Sequence, residues 1–134
     1  MNITYKDTKN FVSTDLQELF LSVEWSSGHY PEKLAVAMRN SGSVFTAWDG
    51  NKLIGLVSAL DDNVMTAYIH YLLVNPEYQG KGIGKELLKL ITEKYETYLR
   101  IVLIAYKEET GFYQKCGFIH NDRSVPMKIT SLCT

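Results

Sequence analysis

The chain is predicted to fold as one mixed α/β domain over residues 1–134, with a central antiparallel meander, helices on both sheet faces and one parallel crossover. Three observations carry this. Apolar residues recur at helical spacing in segments separated by turn-forming residues. Between the second and third of these helices lie three consecutive strand-like runs, divided by Asp49-Gly50-Asn51 and Asp61-Asp62-Asn63. The third run is long and largely apolar, as a central strand covered on both faces requires, and it feeds a glycine-rich loop and an amphipathic helix.

The predicted order is β-α-α-β-β-β-α-β-α-β. Residues 2–6 alternate as a short strand. Thr14 and Asp15 are expected to cap a helix reaching about Val23, with Leu16, Leu19, Phe20 and Val23 on one face. Ser26-Ser27-Gly28 breaks it, and Pro31 suits the first turn of a second helix whose stripe is Leu34, Ala35, Met38 and Ala37. Asn40-Ser41-Gly42 ends that helix. Strands are expected at 43–48, 52–60 and 64–74, the last stopped by Pro76. Residues 82 to about 98 read as a helix burying Ile83, Leu87, Leu90, Ile91 and Tyr95. A short buried strand follows at 100–105, then a short helix at 108–115 with Gly117 as its left-handed cap, and β segments at 118–119 and 125–129.

The composition narrows function. With 46% hydrophobic and 22% charged residues the chain is an ordinary globular sequence, and a net charge of -1 supplies no basic surplus for nucleic acid or an anionic membrane. The N-terminal residues show no signal-peptide pattern, and no apolar run approaches a membrane span. Two cysteines, Cys116 and Cys133, suit free thiols in a reducing cytoplasm, and three scattered histidines lack metal-ligand spacing.

Residues 79–84, Gln79-Gly80-Lys81-Gly82-Ile83-Gly84, form the most informative segment. The first N–H groups of a helix have no internal partner and the helix dipole is positive there, so this end attracts an anion. Glycine lets the backbone wrap a phosphate without a Cβ clash, and Lys81 and Lys85 add charge. Neither familiar nucleotide loop fits: no Ser or Thr follows Gly80-Lys81, and Lys85 stands where a dinucleotide fingerprint needs its third glycine.

The run from Leu72 to Gly84 closely resembles the acetyl-CoA motif of the GCN5-related N-acetyltransferases (GNAT), Gln/Arg-x-x-Gly-x-Gly/Ala. A second block, Phe112-Tyr113-Gln114-Lys115-Cys116-Gly117-Phe118, resembles that family's Phe-Tyr-x-Lys-x-Gly-Phe, in the family's order and spacing. The resemblance, to a small bacterial-type member, implies direct transfer of an acetyl group from acetyl-CoA to a primary amine, with no metal. It implies pyrophosphate held by Gln79, Gly80, Lys81, Gly82, Ile83, Gly84 and Lys85, and pantetheine along Leu72, Leu73 and Val74, in a V between the fourth and fifth strands. Tyr113 matches the proton donor to the leaving thiolate. The stretch from Ile104 to Glu109 lacks the Asn that many members use on pantetheine, so Tyr106 or backbone would replace it.

His70 is the first candidate base on its side-chain chemistry, with Glu24, Tyr71 or a water chain as alternatives. Strict strand alternation would put it on the face of Leu72 and Val74. Trp25 and Tyr30 are the candidate acceptor contacts, with Ser26, His29, Trp48 and Tyr68 on flanking elements. The expected acceptor is a small-molecule amine; a protein amine and a non-catalytic CoA-binding module are the alternatives. The resemblance leaves room for a homodimer.

Overall fold

The computed structural model describes residues 2–132 and 134. Five strands form one sheet in the order β1-β2-β3-β4-β5: β1 (Ile3–Asp7), β2 (Ser43–Asp49), β3 (Lys52–Asp61), β4 (Thr66–Val74) and β5 (Arg100–Leu103). The first three pairings are antiparallel and β4–β5 is parallel. Helices α1 (Ser13–Ser22) and α2 (Pro31–Asn40) cover one face, and α3 (Ile83–Lys94) covers the other. Helix α4 (Thr110–Lys115) follows a single 3₁₀ turn, Lys107–Glu109. The meander, the parallel crossover and the two-sided helix cover are as the pattern predicts.

Each helix buries the stripe that its spacing dictates. Leu16, Leu19 and Phe20 of α1 meet Leu34, Ala35 and Met38 of α2 over Val44, Leu53, Leu56 and Leu73. On the opposite face Ile83, Leu87, Leu88 and Ile91 of α3 pack on Ile54, Val57, Ala59, Ala67 and Ile69. Ala37 is exposed, and Leu88 takes the fully buried place expected of Leu90. Helix α1 begins at Ser13 with Val12 as its uncapped boundary residue, so Thr14 and Asp15 sit inside its first turn, where Asp15 favours the dipole.

Gly55 sets how closely α3 approaches the sheet. A Cβ there would lie 3.1 Å from Leu87 Cδ1 and 3.3 Å from Ile83 Cγ2. Gly55→Val is therefore expected to cost about 1–3 kcal/mol by overpacking, read as a lower urea midpoint at unchanged m-value.

Two bulges bend the sheet. Trp48 pairs with Leu53 and Ala47 with Gly55, so Ile54 is the extra residue of β3. Tyr71 pairs with Ser58 and Ile69 with Ala59, so His70 is the extra residue of β4.

Two expectations fail at the C-terminal side. Strand β5 is half-exposed rather than buried, because it stands at the end of the sheet order. Residues 118–119 and 125–129 join no ladder. Alternation alone does not make a strand, and Pro126 has no N–H to donate to a ladder. Val125, Met127 and Ile129 stay exposed, while the carbonyl of Thr134 accepts a 2.7 Å hydrogen bond from the Ser27 N–H. Among the described residues no helix is long and apolar enough to cross a membrane.

Candidate active site

The parallel pairing of β4 with β5 covers only Thr66–Ile69 against Arg100–Leu103. Beyond it the strands part. A cleft of about 1000 Å³ fills the gap, with Leu72, Leu73 and Val74 on one wall and Leu103, Ile104, Ala105 and Tyr106 on the other. Beyond Ile69 the β4 edge has no β5 partner, and backbone there offers a peptide-like chain something to hydrogen-bond.

One end of the cleft is the glycine loop. Gly80 and Gly82 adopt φ of 77° and 81°, conformations that glycine takes without strain, and Gly82 is the boundary residue of α3. A Cβ at either would meet nothing within 4 Å, so the space above the loop is open. The first N–H groups of α3 therefore face a cavity bordered by Gly80, Gly82, Ile83, Gly84 and Lys85. This arrangement fits a phosphate group. Gln79 also borders the cleft and ties the loop to its own strand through Nε2–H donating to the Val74 carbonyl at 2.9 Å. Lys81 is exposed and does not border the cleft, so its contribution is a nearby charge.

The two sequence blocks meet in space. The space beside Gly84 is bounded by Phe112, whose Cζ would lie 3.6 Å from a Cβ there. Tyr113, on the same short helix, borders the cleft with its ring held edge-on between Phe112 at 5.1 Å and Phe118 at 5.9 Å. Burial, reinforced by the negative charge of Glu109, pushes its phenol up to about 12, so it carries its proton at neutral pH. Gly117 closes α4 with φ 99°, as the sequence predicts.

At the opposite end stands the bulge of β4. It corrects the expectation that His70 shares a face with Leu72 and Val74. Those two pack toward α3, whereas the His70 ring stacks on Tyr71 at 4.0 Å and lies 5.5 Å from Tyr68. Tyr71 packs toward α1, edge-on to Phe20 at 5.0 Å, with Trp25 at 6.1 Å. The extra residue resets strand alternation, which is why a period-2 reading went astray here. His70 is open to the cleft yet crowded by protein, and this partial desolvation holds its pKa below the ordinary 6.5. It is neutral, and able to accept a proton, at physiological pH.

Trp25, Tyr68 and Tyr71 join His70 in this end of the cleft, and Tyr71 Oη shares a 3.1 Å hydrogen bond with Ser27 Oγ. Tyr30 does not reach it: the ring is exposed, with Lys33 Nζ 6.0 Å from its centroid. His29 and Glu24 are exposed and border no part of the cleft, and Trp48, packed against the α1–α2 cluster with its Nε1–H bonded to Thr46 Oγ1, does not border it either. Tyr106 does border the cleft. Sequence reasoning missed Tyr78 and the tail residues Pro126, Met127, Leu132 and Thr134, which also line it. No local pattern marks the tail, because its position depends on where the chain crosses the sheet. Among the described residues no group of His, Cys, Asp or Glu is placed to hold a metal ion.

A splayed sheet with a helix N-terminus shaped for an anion at one end and a protonated phenol beside it is a candidate site for a phosphorylated ligand. The family model described as "Acetyltransferase (GNAT) family" matches residues 10–118. An uncharacterized N-acetyltransferase, ycf52, of Pyropia yezoensis is 32% identical over 130 residues, covering 92% of this chain and 74% of the relative. The chloroplastic GCN5-related N-acetyltransferase 2 of Arabidopsis thaliana is 36% identical over 126 residues, and the match spans 78% of this chain but 48% of that longer protein. Among solved structures, a GNAT family acetyltransferase from Streptococcus pneumoniae TIGR4 superposes with a TM-score of 0.84 at 25% identity, covering 97% of this chain and 98% of the other. The chain belongs to the GNAT family and is an N-acetyltransferase.

Proposed function

We propose that the enzyme transfers an acetyl group from acetyl-CoA directly to a primary amine of a small molecule. The observation that carries this reading is the continuity of one cleft from the glycine cradle, past Tyr113, to His70 and Trp25. Backbone N–H groups at residues 80–85 would hold the pyrophosphate, and the β4 edge near Leu72–Val74, beyond its pairing with β5, the pantetheine arm. The cosubstrate supplies the activated acyl group. Tyr113 then gives its proton to the departing sulfur, and His70, directly or through water, takes the proton that the amine must lose.

The aromatic end, with Trp25, Tyr68 and Tyr71, suits a small amine with an apolar body. A protein acceptor would favour an acidic groove, whereas Glu109 is the one carboxylate among the described residues lining this cleft. A chloroplastic relative widens the compartment reading, and we place the reaction in cytoplasm or an equivalent reducing compartment.

The test is thiol release from acetyl-CoA with a panel of small primary amines against lysine-bearing peptides. Turnover confined to peptides would overturn the small-molecule reading. CoA binding without turnover of any amine would leave a binding module.

The depressed pKa of His70 gives a signed pH prediction. With saturating acetyl-CoA, kcat/KM for the amine is expected to fall on acidification as His70 protonates, with that group's own midpoint below 6.5. His70→Ala is expected to lower kcat/KM by about 100-fold near neutrality and to remove this acidic limb, leaving only the titration of the amine. An unchanged profile would remove His70 from proton transfer.

A further inference from the structure

We propose that Asp49 and Tyr78 form a strut that positions the glycine loop, making Asp49, in the distant β2–β3 hairpin, a determinant of cosubstrate affinity. The proposal rests on the phosphate-binding reading of that loop. Tyr78 ends the 3₁₀ turn Pro76–Tyr78, immediately before Gln79 and the glycines. Its Oη–H donates to Asp49 Oδ2 at 2.6 Å, across 29 residues of sequence. The carboxylate is an acceptor only, so the bond has one polarity and fixes the phenol's direction. Lys52, across the same hairpin turn, holds Nζ 6.0 Å from the Tyr78 ring centroid.

A second tether runs from the same hairpin. The bulge at Ile54 lets its carbonyl accept the Asn75 N–H at 2.8 Å, and Asn75 Oδ1 accepts the Glu77 N–H at 2.9 Å. The turn before the loop thus hangs from β3 by backbone and from the hairpin end by a side chain. Only the second can be removed without altering the sheet. A carboxylate here offers nothing to an anionic cosubstrate by direct contact, which it would repel. Its use is structural and acts at a distance: it sets where the N–H cradle sits relative to the β4 wall. Loss of the strut frees the loop to sample other positions, and binding must then order it again.

The experiment measures CoA affinity by calorimetry and steady-state kinetics on Asp49→Ala, Asp49→Asn, Tyr78→Phe and the Asp49→Ala/Tyr78→Phe double variant, with thermal melts alongside. Asp49→Ala and Tyr78→Phe are each expected to raise the CoA dissociation constant and the KM for acetyl-CoA about tenfold, with kcat within about twofold. Asp49→Asn, whose amide oxygen still accepts from the phenol, is expected to recover most of the affinity. The double variant is expected to be no weaker than either single one, because both remove one bond. Wild-type affinity in Asp49→Ala, or additive losses in the double variant, would overturn the strut. So would a melting temperature that falls in step with affinity across the series. Failure of the unaltered enzyme to bind CoA would instead overturn the reading of the loop itself, so the two failures are distinct.

Discussion

Tyr113→Phe is expected to lower kcat by about 100-fold while the CoA dissociation constant stays within about twofold. The substitution removes one oxygen and keeps the ring, whose packing against Phe112 and Phe118 is purely apolar. The fold should therefore be unaffected. What disappears is a proton held at the cleft by a phenol whose pKa is pushed up to about 12. An ordinary thiol, with a pKa of about 8.5, is a stronger acid than this phenol, so full proton transfer to the thiolate is uphill and Tyr113 helps the departing sulfur chiefly through the hydrogen bond it donates as negative charge develops there. The defect should shrink with an acyl donor whose thiol is more acidic, because such a leaving group needs less help. The check is kcat with acetyl-CoA and with an aryl thioester, beside CoA affinity by calorimetry. Equal kcat in variant and parent would exclude Tyr113 from the chemistry. Equal defects with both donors would assign it to positioning.

Gly82→Glu is expected to weaken CoA binding by at least about 100-fold. Two effects act together. Gly82 has φ 81°, where a residue with a Cβ is strained by roughly 1–2 kcal/mol. The new carboxylate also stands at the start of α3, where it satisfies the N–H groups that would otherwise take a phosphate. It competes as a tethered anion. Because a carboxylate is favourable at a helix N-terminus, the folded enzyme should survive, and circular dichroism should report native helix. Gly82→Ala separates the two effects: it carries the backbone strain without the charge and should lose only several-fold. If the glutamate variant kept CoA affinity, the loop would not be the phosphate site.

The contrast between these two sites and the acceptor end shows where sequence reading works. The glycine loop is contiguous, so its chemistry travels with its spacing: Gly80, Gly82 and Gly84 mark a helix start that accepts an anion wherever the fold places it. Tyr113 was legible through the resemblance of the block from Phe112 to Phe118 to the family's motif, a contiguous run closed by Gly117. His70 was identified by residue type, yet its face was misread. One extra residue in β4 turns its ring from the α3 layer to the Tyr71 side, and a bulge leaves no periodic trace that distinguishes it from regular alternation. Tyr30 lies next to the acceptor elements in sequence and still points to solvent, because α2 begins at Pro31 and turns the chain away from the cleft.

The sequence by itself determined the layer order, the stripes of α1, α2 and α3, and the anion-binding character of residues 79–84. Those features depend on interactions within a few residues, or on a period that the chain carries along its length. The resemblance implied a V between β4 and β5, but only the tertiary structure decided that they part after Ile69, that His70 faces Tyr71, that tail residues line the cleft without forming a strand, and that Asp49 reaches Tyr78. Each of these depends on elements distant in sequence, through a register or a crossing that no local pattern encodes. Register is the common cause: one residue of slip redirects a side chain to the other face of the sheet, and its choice belongs to the packing of both layers at once.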